Sequence, residues 1–184
     1  SLQQLNGASR EEFVSALRPL FNNETWPLEL AWESRPFGDV NELRAAIQVA
    51  VLTADDSRRA ALIHDYPAMD ELLLADADEA ATISADRGSL GLTDLDDVQT
   101  ERITELSAAY RERFDMPFVA YLDTNDTVDR VIDAGVRRLA NSPEQEYRTA
   151  LGEIVEIAND RFDILLADAN PVRSSWDRKF TEVD

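Results

Sequence analysis

His64 is the only histidine of the chain and there is no cysteine, so few side chains can serve as nucleophile or as acid and base near neutral pH. The histidine stands in ALIHDYPAMDE, beside Asp65 and ahead of Pro67, at the end of an apolar stretch. A lone histidine there is more often a surface or capping residue than a catalyst. It has no G-x-S-x-G elbow to serve, so a Ser-His-Asp arrangement is unsupported. Thiolate nucleophiles and cysteine-ligated zinc are excluded, and glycine-rich phosphate loops are absent. The acidic run LTDLDDVQTE lacks the turn glycine and closing glutamate of a calcium loop. It reads instead as a helix N-terminus, where carboxylates meet the positive end of the helix dipole. A metal site is therefore weakly supported. Tyr66, Asp86, Arg87 and Arg161 pass as ordinary residues on type alone. The periodic pattern lapses around residues 82 to 92, where Gly88 and Gly91 fall among small polar residues. Such irregular stretches are where sites tend to sit.

The elements around that loop read as helices. Ser9 and Glu12 form a capping box ahead of Phe13, Leu17 and Leu20, which share one helical face. Asp39 and Glu42 repeat the pattern before Leu43, Ala46, Ile47, Ala50 and Val51. Pro27 and Pro36 bracket a shorter piece carrying Trp26, Leu30 and Ala31. From Ser57 a helix runs to a joint at Pro67 and resumes through AMDELLLADA. Val98, Ile103, Leu106, Tyr110 and Phe114 mark the next. MPFVAYL looks extended but has no second strand to pair with, which predicts an irregular buried connection. Val128, Val131, Ile132, Val136 and Leu139 give another helix. Ser142, Pro143 and Gln145 then cap a long one through Phe162 and Leu165. The sum is an all-α bundle of about seven or eight helices in one domain, residues 1–170, followed by a tail, residues 171–184, with Trp176 and Phe180.

Charge narrows the partners. The chain has 37 acidic against 18 basic residues, a net charge of −19. Such a surface repels phosphate backbones and anionic membranes, so nucleic acid and membrane are not expected partners. Only Lys179 among the basic residues is a lysine, a bias that fits a salt-adapted or high-GC source. No apolar run approaches the roughly 20 residues of a spanning helix, and SLQQLNGASREE lacks a signal pattern. The expected location is cytoplasmic.

Taken in order, the motifs resemble those of the 2-oxo-4-hydroxy-4-carboxy-5-ureidoimidazoline (OHCU) decarboxylases, over roughly residues 5 to 166. LNGASREEFVSALRPLF, then Trp26, Leu30, Ala31 and RPF, are similar to the family's opening LN...eF...L...f...W...a...rPF. GLTDL followed by LSAAYRERFDMPFVAYL is similar to AGL..L and LN..Y..kFGFPFVi. NSPEQEYRTALGEIVEIANDRF is similar to N....E...AL.EI..IA..R. The resemblance implies an all-α fold, a homodimer, no metal or organic cofactor, and a small anionic ureide substrate on the path from urate to (S)-allantoin.

The family signature joins a histidine directly before proline, HPdL, to a glutamate in EQ..aGL. Aligned on Pro67, the histidine slot holds Tyr66. The family spacing from Tyr66, and the count back from Gly91 and Leu92, both fall on Asp86, with Arg87 in place of glutamine. His64 lies out of register unless Asp65 and Tyr66 are an insertion. The resemblance therefore implies a catalytic set of Tyr66, Asp86 and His64. It implies binding residues Pro67, Ile83, Ser84, Arg87, Phe118, Val119, Ala120, Tyr121, Leu122 and Arg161. The resemblance further implies that the main chain of PFVAYL lines the pocket and that Arg161, with its fixed donor fork, helps to bind the substrate's anion.

The reaction so implied expels CO2 and delivers a proton to one face of the carbon left behind. Histidine both gives and takes a proton at neutral pH, whereas tyrosine, with an unperturbed pKa near 10, can donate but is a poor base unless a cation lowers that value. Arg87 could supply the cation, while Asp86 is shorter than glutamate by one methylene, on the order of 1 Å of reach. Two outcomes follow from these substitutions: a working decarboxylase, or a catalytically degenerate homologue that keeps ligand or protein binding.

Overall fold

The computed structural model describes residues 1–75, 95–123 and 125–169. All regular structure among them is helical, in nine α-helices and one 3-10 turn. The helices are α1 Leu2–Gly7, α2 Arg10–Leu17, α3 Trp26–Glu33, α4 Val40–Leu52, α5 Asp56–His64, α6 Met69–Leu74, α7 Asp97–Phe114, α8 Val128–Arg138 and α9 Pro143–Ala169. The all-α expectation holds. Helix α1 is the addition, six residues with no buried side chain, and so without the apolar stripe that announces a helix in sequence.

Local signals explain where the helices start. Glu12 N–H donates to Ser9 Oγ and Ser9 N–H to Glu12 Oε2, a reciprocal box that satisfies two otherwise orphaned donors. Asp96 and Gln99 do the same for α7, so the acidic run is the helix start that its charge predicted. Ser142 and Gln145 repeat the box ahead of Pro143. The Asp39 pair differs. Asp39 Oδ1 accepts from Glu42 N–H, but Glu42 reaches past it to Gly38 N–H.

The described residues cluster into two compact units, Ser1–Ala50 with the residues from Ile157, and Val51–Glu156. The first buries Phe13, Leu20, Leu28, Leu43 and Phe162. Its α1 end is tied to the segment after α3 by a reciprocal pair, Asn6 Nδ2 to Phe37 O at 2.9 Å and Phe37 N to Asn6 Oδ1 at 2.8 Å.

The second unit buries Leu62, Ile63, Met69, Ile103, Tyr110, Phe118 and Ile154. Two positions depart from the predicted apolar stripes. Val98, in the first turn of α7, is 65% exposed, and Val136 on α8 is 52% exposed. The true inner stripe of α8 is Val128, Val131, Ile132, Gly135 and Arg138. It keeps helical spacing but passes through a glycine and an arginine, which a search for apolar residues skips. A Cβ at Gly135 would fall 2.5 Å from Leu106 Cδ2 and 2.8 Å from Phe118 Cζ. Only glycine lets α8 come this close to the ring.

Candidate active site

The joint between α5 and α6 is built by its proline. Pro67 disfavours a helical Tyr66, so α5 must stop. It does so at His64, with Asp65 N–H donating to Leu62 O and Tyr66 N–H to Ile63 O, each at 3.2 Å. His64 is exposed. Two residues on, Tyr66 is turned inward and only 5% exposed. Pro67 is half-buried and Ala68 caps α6 in an extended conformation. The first N–H of α6, an orphan donor of the helix end, is taken by another segment: Met69 N donates to Phe118 O at 2.8 Å.

That segment, Phe118–Leu122, is the irregular buried connection the sequence predicted. With no helix or ladder to satisfy its main chain, its buried polar groups need partners elsewhere. Met69 supplies one. Arg138 supplies a second, Nη1 donating to Val119 O at 2.7 Å. Glu153 supplies a third, its Oε2 accepting from Tyr121 N–H at 3.3 Å. Phe118 and Val119 are each 2% exposed, while Ala120 and Tyr121 are half-buried.

Arg138 is itself held. Its Nε donates to Glu146 Oε1 at 2.7 Å, and Nη2 lies 2.6 Å from the same oxygen. Tyr110 Oη donates to that oxygen at 2.6 Å, and Asn141 Nδ2 to Glu146 Oε2 at 2.9 Å. The guanidinium stands over the Phe118 ring, 4.9 Å from its centroid, where a cation meets the negative face of the π-system. Burial, and then the bond to the Glu146 carboxylate, holds the Tyr110 phenol well above the ordinary tyrosine range, so it stays a donor. Burial also raises the Glu153 carboxyl, against the pull of Arg138 and the Tyr121 N–H.

Arg161 lies on α9 in the first unit. Its Nη1 donates to Asn22 Oδ1 at 3.0 Å and to Leu20 O at 3.3 Å, so one edge of the fork is already committed. Ile83, Ser84, Asp86 and Arg87, with the loop that carries them, lie outside the described residues, as do Trp176 and Phe180. No described group of three or more His, Asp or Glu side chains is placed to hold a metal ion. No described helix is long and apolar enough to cross a membrane.

A family model described as OHCU decarboxylase matches residues 6–163. This chain belongs to the OHCU decarboxylase family. Within that family it is similar to the 2-oxo-4-hydroxy-4-carboxy-5-ureidoimidazoline decarboxylase of Haloferax volcanii, 37% identical over 163 residues that cover 88% of this chain and 93% of that one. It is also similar to the protein of the same name from Mus musculus, 33% identical over 177 residues, 92% of this chain and 96% of that one. A solved (S)-allantoin synthase shares the fold, with a TM-score of 0.65 at 22% identity. That match covers 91% of this chain and 53% of the other, so the chain spans about half of its length.

Membership of the OHCU decarboxylase family also shows what residue-type reasoning passed over. Tyr110, Asn141, Glu146 and Glu153 are letters of the motifs quoted for the resemblance, and none of the four belongs to a catalytic signature. For Asn141, Glu146 and Glu153, polar letters at positions an apolar stripe does not require were the available signal, whereas Tyr110 was read as part of the apolar stripe. Arg138 had no such marker. Asp70, in the first turn of α6, was also missed; its Oδ1 is buried with no hydrogen-bond partner among the described residues.

Proposed function

We propose that this chain is an OHCU decarboxylase-like enzyme of ureide metabolism, working without a cofactor on a small anionic ureide acid. In the proposed step the C–C bond to the carboxylate breaks and CO2 leaves. The electron pair stays on the ring carbon, and one proton arrives on one face to give the (S) product. Tyr66 is assigned the proton, Asp86 and Arg87 its support, and Arg161 the substrate's anion by resemblance. The assembly is proposed as a homodimer in the cytoplasm.

The observation that carries this reading is the joint at Pro67. It buries Tyr66, the residue in the family's catalytic slot, and the Met69–Phe118 hydrogen bond ties it to the segment whose main chain the resemblance gives to the substrate. A buried phenol kept from bulk water is a competent acid for a carbanion-like carbon, and positioned proton transfer is worth roughly 10²–10⁴ in rate.

The test generates OHCU in place from urate with urate oxidase and hydroxyisourate hydrolase, and follows (S)-allantoin by circular dichroism. The expected result is enantioselective formation faster than spontaneous decay, with Tyr66→Phe and Asp86→Ala each losing most of the gain. A trace no faster than spontaneous decay at any pH would establish the alternative, a homologue whose pocket serves binding. The substitutions at both signature positions are what keep that alternative in view.

A further inference from the structure

The Arg138–Glu146 pair lies in the interior, 7% and 0% exposed. Buried ion pairs are weak devices for stability, because taking two charges from water offsets most of their attraction, and apolar residues of similar volume often do as well. What the pair holds is therefore more informative than the pair itself. Both oxygens of Glu146 are engaged: Arg138 and Tyr110 hold one and Asn141 the other. The remaining arm of the guanidinium, Nη1, reaches out of the cluster to the Val119 carbonyl. Gly135, one turn before Arg138, is what lets α8 come close enough to Phe118 for this reach.

A trans peptide is planar, with its C=O and N–H pointing in opposite directions. Drawing Val119 O inward to Arg138 thus aims the N–H of Ala120 away from the cluster. Ala120 is half-buried, and its N–H has no partner among the described residues. On either side the chain is pinned, at Phe118 O by Met69 and at Tyr121 N–H by Glu153. The peptide between is left with one free donor in a fixed direction.

We propose that Arg138 is a positioning residue for the substrate site: held by Glu146, Tyr110 and Asn141, it sets the Val119–Ala120 peptide so that the Ala120 N–H is presented to an anionic or carbonyl group of the ligand. This rests on the proposed reading that the Phe118–Leu122 main chain faces the substrate. The donor is prepared before binding, so the ligand need not order it.

Arg138→Lys keeps a cation beside Glu146 but cannot span both Glu146 and the Val119 carbonyl. The double variant Arg138→Met with Glu146→Leu removes the pair without stranding a buried charge, and serves should the lysine variant fail to fold. Each is compared with the parent protein by hydrogen–deuterium exchange, at a temperature where all are fully folded. The Tyr121 amide, hydrogen-bonded to Glu153 beside the released peptide, is expected to exchange about tenfold faster, the equivalent of one lost hydrogen bond, with the amides of α7 and α9 little changed. In the coupled assay KM should rise by a similar factor, with kcat less affected. Unchanged exchange at Tyr121, or an equal rise across the whole chain, would overturn the proposal, as would unaltered KM in a variant whose segment has loosened. A parent protein without turnover would remove the proposed reaction and leave the exchange comparison to decide whether Arg138 orders the peptide.

Discussion

At position 66 a phenol occupies a buried joint where the family signature has an imidazole, and the chain's one imidazole stands exposed two residues earlier. The two side chains make opposite predictions. His64→Ala removes a surface group and is expected to leave turnover unchanged, whereas Tyr66→His restores the signature and is expected to raise it, by up to roughly 10²-fold if proton transfer limits the rate. The coupled dichroism assay reads both. Loss of turnover in His64→Ala would make Asp65 and Tyr66 an insertion and return the histidine to the site. The resemblance, aligned on Pro67, made Tyr66 the residue to examine; its burial depends on how α5 ends against Pro67, a property of three dimensions.

Among the elements, α9 carries Glu146, which holds Arg138, and Glu153, which accepts from Tyr121 N–H, and the second of these gives a pH test. Burial raises the Glu153 carboxyl above the ordinary glutamate value, so the folded state holds that proton more tightly than the unfolded chain does. The stability linked to this proton is fully present below the unfolded value and is lost as pH rises through the folded one. Ionised Glu153 is then a cost at neutral pH. Glu153→Gln can keep an acceptor for Tyr121 N–H and is expected to raise the melting temperature at pH 7, with the gain vanishing near about pH 4. Calorimetry at the two pH values decides it; a lower melting temperature at pH 7 would show that the attraction to Arg138 outweighs burial. Helices of this kind were largely legible beforehand, because capping boxes at Ser9 and Ser142 are local chemistry. The inner face of α8 was not. Gly135 and Arg138 carry no apolar signature, and each is explained only by Phe118 and Val119, distant in the chain.

For the whole molecule the dominant quantity is the charge of −19. Like charges repel in the compact state and separate on unfolding, and the screening length shortens from about 10 Å at about 0.1 M salt to about 3 Å at about 1 M. The melting temperature is accordingly expected to rise over that range of sodium chloride, which a thermal scan followed by circular dichroism will read. A flat or falling curve would mean that local ion pairs such as Arg59 with Glu144 and Arg102 with Asp133 outweigh the global repulsion.

The Met69–Phe118 hydrogen bond has a further consequence, for how the protein can change over time. It fixes a count. From Tyr66 to Met69 the chain has one proline and one alanine in which to turn, and it arrives with an N–H at 2.8 Å from a carbonyl of another segment. Exchanging the side chain at 66 leaves that count intact, because the bond uses main-chain atoms only. Adding or deleting a residue between the two breaks it and frees the first turn of α6. Position 66, the slot of the family's signature histidine, is thus open to point substitution while the count from 66 to 69 is closed to insertion, so the side chain there can change by codon changes at one position while the frame around it keeps its length.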